Sequence, residues 1–219
     1  MLSMLLSFWL AVAPGFWFAT SQKNAGTAAT NTSVGSEDWF GASGATGATN
    51  SSGAETVGSA GGQSSYYLRL SNFGFSIPGG STINGVRVQL RVAQVTDVLT
   101  PSTCTGITAS FNRVRLVNES GTIGSTDKAA ATAVLNDASW NPYDFGGTGD
   151  TWSSEASAIN WNNSASGFVV SFSWSGTTGT CRTLVDSVNI LVDYTPPAGA
   201  PRRTVISKAR TIERAALSF

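Results

Sequence analysis

The segment Val86-Arg-Val-Gln-Leu-Arg-Val92 constrains this chain more than any other. Val86, Val88, Leu90 and Val92 alternate with Arg87, Gln89 and Arg91, the period-2 pattern of a strand with one face in a core and the other in water. Pro78-Gly79-Gly80 lies just upstream, a cluster that ends a preceding strand over residues 73–77 and supplies the turn. The same design recurs at residues 66–70, 109–117, 168–174 and 188–194. In the second of these, Val114 and Leu116 point inward and Arg113 and Arg115 outward. Phe111 is out of phase, which signals a bulge or a side chain serving the opposite face. Tyr194-Thr-Pro-Pro197 closes the pattern, because consecutive prolines cannot continue a ladder. Six to nine short strands with no βαβ rhythm predict an all-β fold, an antiparallel β-sandwich of jelly-roll type.

A chain of 219 residues with seven Trp and eleven Phe can bury a substantial core. Charge is sparse and balanced, with thirteen residues of each sign, so no basic excess supports nucleic-acid binding. The absence of His removes the commonest general base, the commonest metal ligand and every His-containing triad. No local sequence pairs two carboxylates as a glycosidase needs. Asp144 and Asp150 bracket Gly146-Gly147-Thr148-Gly149 and could offer oxygens to a cation, but the spacing is not that of an EF-hand and reads as a long turn over 141–150. No Lys-Ser/Thr pair follows those glycines to make a phosphate loop. The expectation is a non-enzyme without metal or cofactor.

Cys104 and Cys181 are the two cysteines. Both sit beside Gly and Thr in segments that read as loops or strand ends, and a bridge between them would close a long loop; the alternative is two unrelated thiols. Trp140, Tyr143, Trp152 and Trp161 lie in Gly/Asn/Ser-rich stretches. Such rings either stack on a sugar or cap the open ends of a sandwich.

The organisation read from composition has four parts. Residues 1–22 are uncharged and carry Phe8, Trp9, Phe16 and Trp17, suiting a secretory signal peptide, an interaction arm or a misassigned start. Residues 23–65 form a loop-rich Gly/Ala/Ser/Thr lead-in, with one strand near Trp39 and another near residues 54–57. Residues 66–197 form the sandwich core, with a single helical turn over 154–160 capped by Ser153 or Ser154. Residues 198–219 form a basic arm in which Arg202, Arg203, Lys208, Arg210 and Arg214 face only Glu213. That arm either pairs with a partner or is a disordered terminus.

The block Phe73-Gly-Phe-Ser-Ile-Pro-Gly-Gly-Ser-Thr-Ile-Asn-Gly-Val-Arg-Val88 resembles a pattern in structural proteins of tailed bacteriophages. Two weaker likenesses accompany it: a Trp-containing lead-in near Trp39, and a Gly-Gly turn, then Trp152, then a last alternating strand to Tyr194. The resemblance covers roughly residues 39–195 and implies a virion structural role with no catalytic residues. It also implies other virion proteins, capsid or tail subunits, as partners, with a homo-oligomer and a surface glycan as further expectations. The hydrophobic start and basic end depart from the pattern and are read as assembly arms. A secreted carbohydrate-binding module is the alternative.

Overall fold

The structure, a computed structural model, describes residues 19–49, 53–99, 101–130 and 132–198. Nine strands form among the described residues: β1 (Ala19–Asn24), β2 (Thr27–Asn31), β3 (Ala54–Ala60), β4 (Tyr67–Ser71), β5 (Thr82–Val95), β6 (Ile107–Val117), β7 (Asn141–Gly147), β8 (Gly167–Gly176) and β9 (Thr178–Thr195). A one-turn helix, α1 (Glu155–Ala158), precedes β8. Every pairing between these strands is antiparallel. One sheet runs β1-β9-β5-β7, with β3 also paired to β9; the other runs β2-β4-β8-β6. The two sheets pack face to face as an antiparallel sandwich of jelly-roll type.

The alternation in β5 works as its sequence requires. Val86, Val88, Leu90 and Val92 are fully buried, and each such side chain contributes roughly 1.5–3 kcal/mol on leaving water. Leu68 and Leu70 of β4, Val114 and Leu116 of β6, and Phe168, Val170 and Phe172 of β8 meet them from the facing sheet. Phe111 sits at the centre, with ring centroids 4.8 Å from Phe172 and 4.9 Å from Phe145. Its phase is explained by a bulge: Phe111 pairs with Phe172 and Arg113 with Ser171, leaving Asn112 as the extra residue.

Four expectations are corrected. The sandwich begins at Ala19, not at residue 66, because β1, β2 and β3 are strands of both sheets. The expected strand near residues 54–57 is β3; the Gly/Ala/Ser/Thr composition hides β1 and β2, since a ladder is made by the backbone and needs only a partner of matching register. Trp39 belongs to no strand; it is a core anchor whose indole N–H donates to the Tyr66 carbonyl at 2.8 Å. Residues 73–77 make no ladder. Phe73, Phe75 and Ile77 are buried from an irregular segment, and the Asn162 side chain takes the place of a strand neighbour, accepting from the Ile77 N–H at 2.7 Å and donating to its carbonyl at 2.8 Å. Residues 141–147 of the expected long turn are strand β7, with Tyr143 opposite Leu90 and Phe145 opposite Val88; Pro142 is tolerated because β7 is an edge strand.

Before α1 the chain departs from a simple capped helix. Trp152, Ser153 and Ser154 are consecutive left-handed residues, with φ of 52°, 53° and 74°. Ser154 holds the N-cap position without a side-chain cap bond, and Ser153 precedes it. This costs on the order of 1 kcal/mol per residue or more and is offset by burying the whole Trp152 ring.

Cys104 and Cys181 form a disulfide across a sequence separation of 77, with Cα atoms 5.5 Å apart. It ties the β5–β6 loop to the start of strand β9, and the Asn136 side chain brackets Cys104 with hydrogen bonds to its N–H and carbonyl. Closing a loop of that length removes about 4.5 kcal/mol worth of unfolded-chain entropy. The double variant Cys104→Ser/Cys181→Ser is expected to unfold at clearly lower urea than the oxidised protein, with a stability loss of about 3–5 kcal/mol. Equal denaturation midpoints would contradict this role.

Candidate functional site

The four aromatic side chains singled out for sugar stacking are all engaged by the fold. Trp152 is completely buried, with its indole N–H donating to the Val86 carbonyl at 2.8 Å. Trp161 is buried and donates to the Ala156 carbonyl at 2.9 Å. Tyr143 packs its ring on Phe111 at 5.0 Å, and its hydroxyl accepts from the Leu135 N–H at 2.7 Å; burial raises its hydroxyl pKa above the ordinary value. Trp140 is half-buried beside Ala93, Val95 and Leu184, with the Arg91 guanidinium 5.0 Å from its ring centre. Trp152 and Trp161 therefore act as core, correcting the stacking expectation. Phe8, Trp9, Phe16, Trp17, Arg202, Arg203, Lys208, Arg210 and Arg214 lie outside the described residues.

The carboxylates are occupied in holding loops. Asp127 accepts from the Val114 and Ala129 N–H groups at 3.0 Å each and pairs with Arg113 and Arg115 at 3.2 Å. Burial pushes its pKa up, but these hydrogen bonds and cations more than compensate, so it stays below the usual aspartate value. Asp150 is likewise held low: burial opposes, while the Lys128 ammonium at 2.8 Å and the Trp152 N–H favour the charged form. Glu155 follows the same rule, its burial outweighed by donors from Ser125 and Thr126. Asp144 accepts from Gln89 at 3.0 Å and lies 3.9 Å from Arg87. Asp144 and Asp150 thus serve different partners, and no group of three or more His, Cys, Asp or Glu among the described residues could hold a metal ion.

The two outer faces of the sandwich differ. Outside β4, β6 and β8, Tyr67, Val117 and Val169 are buried under Val34 and Ile123 from neighbouring loops. This is why β8 is buried on both faces rather than half wet. The outer face of the β1-β9-β5-β7 sheet carries a polar ladder. Gln22 donates to Asn189 at 3.2 Å, Asn189 to Gln89 at 3.2 Å, and Gln89 to Asp144 at 3.0 Å, crossing four strands. Beside it lies an open cleft of about 430 Å³ lined by Arg87, Gly146, Gly147, Thr148, Leu191 and Asp193. Its wall is the glycine-rich turn after β7. That turn folds over Gly85, where a Cβ would meet the Gly149 nitrogen at 2.3 Å, and Gly146 lies at φ +74° against the Val86 carbonyl and the Trp152 ring.

The sequence matches no known protein-family model and no curated protein. Among solved structures, the chain is similar to the CBM22-1 xylan-binding domain of Paenibacillus barcinonensis Xyn10C, at 13% identity over 81% of this chain and 87% of that one, with a TM-score of 0.32. It is also similar to structures of infectious bursal disease virus. The Gx strain matches at 12% identity and a TM-score of 0.34, the Gt strain at 11% and 0.30, each over 83% of this chain and 37% of that chain. These likenesses concern the β-sandwich fold alone. No helix among the described residues is long and apolar enough to cross a membrane.

The low pKa of Asp127 has a consequence for acid stability. A carboxyl depressed in the folded state contributes fully above its unfolded value near 3.8, and the contribution is lost as pH falls through the lower folded value. Unfolding in urea is therefore expected to be insensitive to pH between about 5 and 7 and to shift to lower urea below about pH 4. Asp127→Asn should be less stable at pH 7 and lose less on acidification. Parallel pH profiles for the two proteins would contradict the assignment.

Proposed function

We propose that this protein is a non-enzymatic structural protein of a bacteriophage virion, a sandwich module displayed on capsid or tail and held there by its two ends. The observation that carries this reading is where those ends leave the fold. Ala19 opens β1 and pairs with Tyr194 near the end of β9, while Thr195 pairs with Thr82. The described chain therefore begins and ends at the same pole of the sandwich. Residues 1–18 are uncharged and rich in Phe, Trp and Leu; residues 199–219 carry Arg202, Arg203, Lys208, Arg210 and Arg214. An apolar arm left in water is an aggregation hazard, and a neighbouring subunit is the natural cover for it. The basic segment suits an acidic groove on the same neighbour.

The resemblance of residues 73–88 to tailed-phage structural proteins supports the same reading. In the structure that block is scaffold: it buries Phe73, Phe75 and Ile77 and then enters β5. At the pole opposite the arms, Leu99 is 88% exposed, with Val98 beside it, a further apolar contact for a neighbour.

Deletion of residues 1–18 or of 199–219 is expected to leave the thermal midpoint of the sandwich nearly unchanged while abolishing incorporation into particles. The first cut must stop before Ala19, since β1 is part of the sheet. Incorporation of both truncated chains at full occupancy would overturn the proposal. So would appearance of the intact chain only as a free secreted protein, the outcome expected of a secreted carbohydrate-binding module.

A further inference from the structure

We infer that the outer face of the β1-β9-β5-β7 sheet is a binding site for a neutral, hydroxyl-rich oligosaccharide, seated in the Arg87–Leu191 cleft and along the adjoining amide ladder. This does not depend on the virion reading, which would stand without it.

Three features converge on that chemistry. The ladder of Gln22, Asn189, Gln89 and Asp144 is oriented in one direction, each side chain donating to the next. A primary amide has two donor hydrogens and two acceptor lone pairs, so each rung keeps unused capacity after its internal bonds are made. Those internal bonds fix the rotamers, so little side-chain entropy remains to be lost when a ligand binds. Three inter-strand steps of about 4.8 Å give a polar strip about 14 Å long, suited to an extended chain rather than to a compact metabolite.

The cleft adds depth at one end. Leu191 gives its floor an apolar patch for the C–H faces of a sugar ring, and Arg87 offers guanidinium donors beside it. At Gly147 nothing lies within 4 Å of where a Cβ would stand, so a ligand can approach the backbone of the turn directly there. Its volume of about 430 Å³ falls in the range of small-ligand sites.

The charge balance selects among ligands. Among the described lining residues Arg87 is the cation; Asp193 also lines the cleft, and Asp144 lies 3.9 Å from Arg87. Among the described residues the lining carries charges of both signs and no basic patch of the kind an anionic polymer needs. Leu191 is the single large apolar side chain in the lining, too little for an apolar ligand. Hydroxyl groups, which both donate and accept, fit the mixed donors and acceptors without a charge penalty. On the opposite sheet, loops cover Tyr67, Val117 and Val169.

The test is affinity electrophoresis of the full chain through gels containing neutral soluble polysaccharides: hydroxyethyl cellulose, mixed-linkage β-glucan, galactomannan and dextran, with polygalacturonate as the anionic control. Retardation by at least one neutral polymer is expected. Arg87→Ala and Gln89→Ala, both changes on the wet face, should each keep the unfolding midpoint and weaken binding by about tenfold or more. Arg113→Ala, on the other sheet, should bind as the parent does. Failure of every neutral polymer to retard the protein would overturn the inference. So would retardation by polygalacturonate alone, or neutral binding that survives both outer-face substitutions.

Discussion

The pairing of β5 with β9 is the constraint on which the rest of the structure depends. β9 runs for 18 residues, and its register against β5 extends from Thr82↔Thr195 to Val95↔Arg182. On its other side β9 holds two short strands end to end, β3 against residues 178–185 and β1 against residues 189–194. Neither could persist alone, since an isolated short pair is marginal in water. A slip of one residue in the central register would turn Val86, Val88, Leu90 and Val92 out of the core and put Arg87 and Arg91 into it. The ladder has two irregularities against β5, one of them opposite Asp186 and Ser187. There the Asp186 side chain is buried and pairs with Arg91, a contact that rewards the native register.

Much of this was legible from residue periodicity. β5, β6, β8 and the second half of β9 each carry large apolar side chains at every second position, and burial of those positions is their reason for being strands. The bulge at Asn112 was legible too, because Phe111 breaks phase with Val114 and Leu116. What periodicity could not reveal was any strand whose inward residues are small. Thr27-Ala-Ala-Thr-Asn31 of β2 has no apolar contrast to read. β7 was masked by Pro142 and its glycines, although Tyr143 and Phe145 already alternate there. Conversely, residues 73–77 have strand-like alternation but pair with the Asn162 side chain rather than with a strand, and nothing local distinguishes the two cases.

The candidate site was less legible than the fold, because it is made by register. Arg87, Gln89 and Arg91 were readable as outward, yet Gln22, Asn189 and Asp144 join them only once three inter-strand alignments are set. The aromatic residues misled for a physical reason. Gly, Asn and Ser around Trp152 and Trp161 look like exposed loop, but here they serve tight turns that let two large rings be buried with their N–H groups bonded to carbonyls. The disulfide lay between these extremes: two cysteines permit one pairing, and the fold brings their Cα atoms to a distance that suits it.

The role proposed for this sandwich is that of a module incorporated into a virion. Quantitative mass spectrometry of density-purified particles of the encoding phage tests that most directly. The account predicts this chain at a fixed copy number relative to the major capsid or tail subunit, resistant to salt washing. Its absence from particles, together with its accumulation as free protein in the medium, would contradict it.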